Sequence, residues 1–125
     1  MTRKIDFHKV EGKGDGYDGN DVLVHDEKGA GGACHRYSIH NANDTSLSFS
    51  HMDFQNGPIQ EVGPNGVTQE DLLAIVIDRL RGFQSGPFAN RENALALTHC
   101  EEALMWLHKR TRDRLVRGVE GFNKA

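Results

Sequence analysis

The sequence predicts an α+β protein, in which a small N-terminal antiparallel β-sheet precedes a long C-terminal helical hairpin. Residues 1–57 combine short apolar runs with many glycines and Asn/Asp turns, which is typical of a small sheet. Residues 58–125 instead show the 3–4-residue apolar spacing of amphipathic helices. We therefore expect a β-rich part over 1–57 and a helical hairpin over 58–125, together in a single compact domain.

The β-rich part is expected to contain four short strands. The apolar and β-branched runs place them at 22–25, 35–39, 47–50 and 52–55. Residues 41–44, Asn-Ala-Asn-Asp, predict a hairpin turn because Asn and Asp tolerate left-handed backbone conformations. Segment 11–21 is rich in Gly and Asp, which predicts a long loop.

The first helix of the hairpin is predicted over 69–82. Thr68, followed three residues later by Asp71, has the spacing of an N-terminal capping box. Apolar side chains occur around most of this helix, so it must be buried on several sides. One small sheet and one further helix are not expected to provide that cover, so we expect a homo-oligomer; the alternative is that the sheet covers the helices.

The second helix is predicted over 91–117. Asn90 is a suitable N-cap, and Gly118 is the residue type that most often ends a helix. Residues 83–88 would form the loop between the two helices.

Length and composition favour a small cytoplasmic protein. The chain has 125 residues and a net charge of −3, and it contains no apolar run as long as the roughly 18 residues of a membrane span. The N-terminus lacks the apolar stretch of a secretion signal. Cys34 and Cys100 fit no metal or redox spacing, so we expect reduced thiols and no membrane partner.

The charges of the second helix are concentrated near its end. Residues 109–117 contain five Lys or Arg side chains and one Asp, a net of +4. Arg110, Arg114 and Arg117 share one helix face, and two guanidinium groups one turn apart suit a diphosphate. The alternative is a solvated helix end whose cations interact favourably with the helix dipole.

Two further candidates lie at the other end of the hairpin. Phe83 could stack on a base and Asn93 could bind a base edge or ribose; alternatively, Phe83 covers a helix end and Asn93 is an ordinary first-turn residue. Asn93 and Arg110 are 17 residues apart, about 25 Å along one helix. One nucleotide pocket can therefore use both ends only if two antiparallel chains contribute.

Metal binding and catalysis receive little support from the sequence. A zinc site would draw on Cys34, His35, His40 and His51, and a calcium site on Asp15, Asp18, Asn20 and Asp21, but neither set has a known ligand spacing. No combination of a nucleophile with a general base can be recognised in the sequence. We expect no metal, no cofactor and no enzymatic activity.

A family resemblance is carried by residues 93–107 (NALALTHCEEALMWL), 109–114 (KRTRDR) and 117–121 (RGVEG). They resemble the phage helical-hairpin family of nucleotide-signal sponges, which anti-CBASS sponges share with the first type of Thoeris anti-defence protein. Residues 56–59 (NGPI), 65–68 (NGVT) and 73–80 (LAIVIDRL) resemble the Thoeris version. The resemblance is good over 53–121 and loose over 1–52.

The resemblance implies sequestration of glycocyclic ADP-ribose, without cleavage, between protomers of a dimer within a hexamer. It implies ligand contacts from Phe83, Asn93, Arg110 and Arg114, and further sites for cyclic oligonucleotides that we do not place. Two residues depart from the family pattern: Cys100 stands where leucine is expected, and Phe122 where threonine is expected. The second departure puts in doubt any ligand contact from the C-terminal tail.

Two alternative functions remain open at this point. One is a hydrolase of the same cyclic nucleotide. The other is a nucleic-acid-binding regulator that uses the basic helix, although the net charge of −3 argues against a nucleic-acid polymer as partner.

Overall fold

In a computed structural model, residues 2–9 and 19–118 are described. They belong to two compact units. The first contains the described part of Met1–Gly57 together with Val62–Gly66, and the second contains Pro58–Glu61 with the described part of Val67–Ala125. Among the described helices, none is long and apolar enough to cross a membrane.

The first unit is built on an antiparallel sheet, as predicted. Its four strands are β1 (Arg3–Ile5), β2 (Asn20–Val24), β3 (Arg36–Asn41) and β4 (Ser48–Asp53), and each pairs with the next in chain order. A short 3₁₀ turn, Ala30–Gly32, lies between β2 and β3. The sheet is thus a simple meander with β1 and β4 at its edges.

The two faces of the sheet differ in chemistry, because alternate side chains of a strand point to opposite sides. On the apolar face, Val24 is fully buried and lies opposite Tyr37, whose ring meets Phe54 edge-on at 5.5 Å. On the polar face, Ser38 is buried and lies opposite Leu23.

Two strand predictions are wrong. The predicted strands 47–50 and 52–55 are the single strand β4, because one intervening residue, His51, cannot reverse the chain. Phe49 is an extra residue in β4, since Ser48 pairs with His40 while Ser50 pairs with Ile39. This β-bulge lets β4 continue alongside β3.

Strand β1 was not predicted, because three residues give almost no local signal. The predicted loop 11–21 is also wrong at its end, since β2 begins at Asn20. Residues 11–18 of that loop lie outside the described residues, as does Phe122. The predicted turn at 41–44 lies between β3 and β4, where the Asn41 side chain accepts the N–H of Asn43 at 2.9 Å.

The second unit contains the helical hairpin, as predicted. Its helices are α2 (Gln69–Gln84) and α3 (Arg91–Val116), and a one-turn helix α1 (Ile59–Val62) precedes them in the chain. The Thr68 hydroxyl accepts the Asp71 N–H at 3.2 Å, while the Asp71 carboxylate accepts the Thr68 N–H at 2.9 Å. The predicted capping box is therefore confirmed.

Both helix ends differ slightly from the prediction. Helix α2 extends to Gln84, so Phe83 is helical and not part of a loop. Helix α3 begins at the predicted residue and ends at Val116, with Gly118 at a φ of 71° just beyond it. This left-handed conformation is one that glycine adopts without strain.

The segment before α2 is fixed to the end of β4 within the first unit. The Asn65 side chain donates to the Asn56 carbonyl at 2.7 Å and accepts the Asn56 N–H at 2.8 Å. The next residue, Gly66, passes so close to the strand end that a Cβ there would lie 2.4 Å from the Asp53 carbonyl oxygen. Glycine is required at this position because any side chain would collide with the end of the strand, and not because the backbone adopts a left-handed conformation.

We predict that Gly66→Ala lowers the free energy of unfolding by about 1–3 kcal/mol, because the backbone it would strike cannot move as a side chain can. Thermal unfolding followed by circular dichroism measures this change. Gly82→Ala is the control: a Cβ at Gly82 meets nothing within 4 Å. Within α2 that substitution should stabilise by about 0.5–1 kcal/mol. Wild-type stability of Gly66→Ala would contradict the contact.

Candidate functional site

The turn between α2 and α3 is held by hydrogen bonds from a glutamine side chain to the main chain. The Gln84 amide donates to the Asn90 carbonyl and accepts the Asn90 N–H, both at 3.1 Å. The Asn90 side chain in turn accepts the N–H of Asn93 at 2.7 Å, which confirms it as the N-cap of α3. These bonds fix the end of α2 relative to the start of α3.

A cross-helix ion pair adds to this restraint. The Arg81 guanidinium donates to one carboxylate oxygen of Glu101 at 2.8 and 3.2 Å. Both side chains are substantially exposed, so the pair orients the helices more than it stabilises them.

Phe83 lies in the last turn of α2 with 40% of its surface exposed. The guanidinium carbon of Arg79, one helical turn earlier, lies 5.4 Å from the centre of its ring. Such a cation–π contact occupies one face of the ring. The exposed ring area that remains suits stacking with a planar group.

Asn93 lies in the first turn of α3 and is half-buried. The helix cap uses its main-chain N–H and leaves the side-chain amide to other contacts. Phe83 and Asn93 thus both belong to the elements that the Gln84–Asn90 bonds hold together.

The two predicted phosphate-binding arginines differ in exposure. Arg110 is exposed, whereas Arg114 is only 8% exposed and already takes part in an interaction of its own. Burial of Arg114 depends on tertiary packing, which helix periodicity does not report.

Asp113, the acidic residue in this region, forms an ion pair with a neighbouring lysine on the same helix. The Lys109 ammonium donates to the Asp113 carboxylate at 2.7 Å, one helical turn away. This hydrogen bond is the main reason that the pKa of Asp113 is lowered, with nearby Arg112 and Arg117 acting in the same direction. Asp113 is thus paired with Lys109, and the positive charge of Arg110 stays available.

Phe83, the predicted stacking residue, and the two predicted phosphate-binding arginines lie toward opposite ends of the hairpin. Helix α3 is continuous from Arg91 to Val116, so Asn93 and Arg110 are separated by about 25 Å at the standard rise per residue. Helix α2 packs against α3, which keeps Phe83 on the Asn93 side of that separation. The chain alone does not bring the four predicted site residues together.

Large apolar side chains are exposed along the hairpin. Trp106 is 59% exposed and Met105 55%, both on α3, while on α2 Ile75 is 58% and Val76 43% exposed. In the described part of this unit, the buried apolar side chain is Ile77. Packing within the described hairpin therefore leaves much of the apolar surface of its helices uncovered.

Within residues 2–9 and 19–118, no three His, Cys, Asp or Glu side chains converge closely enough to hold a metal ion. Both cysteines are free thiols. The Cys34 sulfur accepts a long hydrogen bond of 3.8 Å from the Arg3 guanidinium.

Residues 48–112 match the family model for the Acb2/Tad1 hairpin domain. The chain belongs to this family. The match begins with β4 and stops inside α3, so the Acb2/Tad1 hairpin includes Phe83, Asn93 and Arg110 but not Arg114. The resemblance seen in the sequence motifs is therefore confirmed.

A named relative is Thoeris anti-defense 1 of Bacillus phage SBSphiJ7, which is 58% identical to this chain over 73 residues. The aligned segment is 58% of this chain and 51% of the relative, so the chain spans about half of that protein's length. The identity is concentrated in a segment about as long as the Acb2/Tad1 hairpin match.

Two contacts of the hairpin were not predicted from the sequence. The four-residue spacing of Arg79 and Phe83 would have suggested the cation–π contact if the first helix had been predicted to continue to residue 83. The Arg81–Glu101 pair had no usable signal, because it depends on how the two helices are aligned along each other.

Proposed function

We propose that this protein is a phage anti-defence sponge that acts in the host cytoplasm. In this proposal it binds glycocyclic ADP-ribose, keeps it from its receptor without cleaving it, and so helps the phage to evade Thoeris-type immunity. The observation that carries the proposal is membership of the Acb2/Tad1 hairpin family together with the relative named Thoeris anti-defense 1.

The proposed pocket combines an aromatic ring for stacking with two guanidinium groups for binding phosphate. Phe83 stacks on the adenine and Asn93 orients it, while Arg110 and Arg114 neutralise the pyrophosphate. A hydrogen bond to a charged group contributes about 1.5–3 kcal/mol, and a stacked base about 1–3 kcal/mol. Their sum is enough for tight capture if the pocket exists before the ligand arrives.

The proposed assembly follows from the length of α3. Two antiparallel hairpins would place Phe83 and Asn93 of one chain beside Arg110 of the other, giving two identical pockets per dimer. The exposed apolar side chains of α2 and α3 support such packing. Dimers would associate further into the hexamer that the resemblance implies, where a second class of site for cyclic oligonucleotides is also proposed.

The sponge is tested by recovering the ligand after capture. Glycocyclic ADP-ribose is incubated with the protein, unbound ligand is removed by filtration, and the protein is denatured before mass spectrometry. We expect intact ligand from the wild type and at least about tenfold less from Arg110→Ala, since two charged hydrogen bonds are lost. A cleaved product would instead indicate a hydrolase.

The matched control is Arg112→Ala, which removes the same charge from a different side of α3. Capture by this variant should stay close to that of the wild type. Equal losses in the two variants would mean that the general basic charge matters and not the position of Arg110.

The cross-chain pocket is tested by co-expressing Phe83→Ala chains with Arg110→Ala chains. Each variant alone should capture almost nothing. A mixed dimer would contain one pocket with both defects and one with neither, so random pairing should restore about a quarter of wild-type capacity. Recovery near zero would contradict a pocket shared between two chains.

The interface is tested by Trp106→Glu, which places a charge at an apolar position of α3. We expect the molecular mass from light scattering to fall by at least half, because a buried, unpaired carboxylate opposes association. Phe49→Glu is the control, since Phe49 is also 59% exposed but lies on the sheet. An unchanged mass for Trp106→Glu would contradict the proposed interface.

A further inference from the structure

The polar face of the sheet contains a buried hydroxyl between two imidazoles. Ser38 is 3% exposed, and its Oγ lies 2.5 Å from Nε2 of His25 and 2.7 Å from Nε2 of His40. The outer ring nitrogens are also bonded: Nδ1 of His25 lies 3.4 Å from the Thr2 hydroxyl, and Nδ1 of His40 lies 3.2 Å from the Thr45 carbonyl. Five residues thus form one continuous hydrogen-bonded chain.

The Thr45 carbonyl fixes the direction of every hydrogen bond in the neutral chain. A carbonyl only accepts, so Nδ1 of His40 must carry the hydrogen and its Nε2 must accept from the Ser38 hydroxyl. Ser38 has given its single hydrogen to His40, and it can therefore only accept from Nε2–H of His25. Nδ1 of His25 is then an acceptor for the Thr2 hydroxyl.

One added proton leaves the chain fully bonded. It can enter at Nδ1 of His25, which then donates to the Thr2 oxygen while the rest is unchanged. It can equally reside on His40, if Ser38 reverses its hydroxyl toward His25 and His25 donates from Nδ1 to Thr2. The same proton can therefore make either His25 or His40 the cation. The two states differ in the direction of the hydrogen bonds that Ser38 makes between the two rings.

A second proton breaks the chain. Both Nε2 atoms would then carry hydrogen and point at the Ser38 oxygen, so the hydroxyl hydrogen would have no acceptor in a site that water barely reaches. The two rings would also be cations on opposite sides of one oxygen, and like charges at this separation oppose each other's ionisation. The second proton is therefore opposed both by the loss of a hydrogen bond and by charge repulsion.

Other charged groups lie on the same face. They are Lys4 on β1, Asp21 on β2 with Lys9 and His8 beside it, Arg36 on β3, and His51 and Asp53 on β4. Asp21 pairs directly with His40 across the strands, but the Lys9 ammonium donates to its carboxylate at 2.7 Å. That bond is the main reason that the pKa of Asp21 is lowered.

His51 belongs to a separate pair. Its ring stacks on that of His25 at 6.4 Å, and its Nε2 lies 3.3 Å from the Asp53 carboxylate. A proton on His51 is thus balanced by Asp53. Of the titratable side chains described on this face, His25 and His40 are the two that bond within the chain.

We propose that His25, Ser38 and His40 form a reversible one-proton relay that makes the sheet sensitive to pH. The relay takes up one proton with all its bonds intact and admits a second only when the rings separate. Because the unfolded chain accepts both protons freely and the folded relay resists the second, the sheet should lose stability on acidification. The inference uses only residues of the sheet and does not depend on the proposed sponge function.

Nitrogen NMR of the imidazoles tests the relay in the intact protein. At about pH 8 we expect the hydrogen on Nδ1 of His40 and on Nε2 of His25. On acidification we expect the two protons to enter in separate steps, the first shared between both rings before the second is bound. His40 carrying its hydrogen on Nε2 in the neutral protein would overturn the proposal, and this result requires no variant.

Ser38→Ala removes the shared oxygen while keeping a small side chain in a buried position. We expect the two titration steps to move together in this variant, and Ser50→Ala, on the other face of the sheet, to leave them unchanged. Steps that stay equally far apart in Ser38→Ala would overturn the role of the hydroxyl. If that variant does not fold, the two tautomers of the wild type decide the question.

Discussion

The rigidity of one helix determines what the hairpin can bind. Helix α3 is uninterrupted over 26 residues, and it separates Asn93 from Arg110 by about 25 Å. A nucleotide is much shorter, so no bending of side chains brings a stacking ring and a guanidinium of one chain onto the same ligand. If these residues act together, the neighbouring chain must supply one of them. The proposed site and the proposed assembly are then a single requirement, because a dimer that covered the apolar side chains would also complete the pocket.

The small core of the hairpin also limits the stability that a single chain gains from its own packing. Ile77 is buried, whereas Trp106 and Ile75 are more than half exposed, so packing within the described hairpin removes little apolar surface from water. Association would bury this surface and shift the folding equilibrium by mass action. A ligand that contacts two chains would act in the same direction, since it binds the dimer and not the separated protomers. Ligand capture and subunit association are therefore expected to strengthen each other.

The features that the sequence predicted well are those with local causes. The Thr68–Asp71 capping box and the Asn90 cap involve residues three positions apart, and both appear as expected. The single strand β4, the unpredicted β1 and the burial of Arg114 depend on residues distant in the chain. The His25–Ser38–His40 chain is a similar case: residues 38 and 40 share a strand face by simple alternation, but only the register with β2 brings His25 to the same hydroxyl.

The two arginines of the proposed pocket would play unequal parts. Arg110 is exposed, so its guanidinium can turn toward a pyrophosphate, but water and salt screen its charge until the ligand arrives. Arg114 is 8% exposed and already engaged, so its position is set in advance and its charge acts through a medium of lower dielectric constant. A buried, oriented cation costs no reorganisation when an anion binds beside it. In the proposed pocket Arg114 would provide a fixed positive charge, and Arg110 would donate the hydrogen bonds that form when the ligand binds.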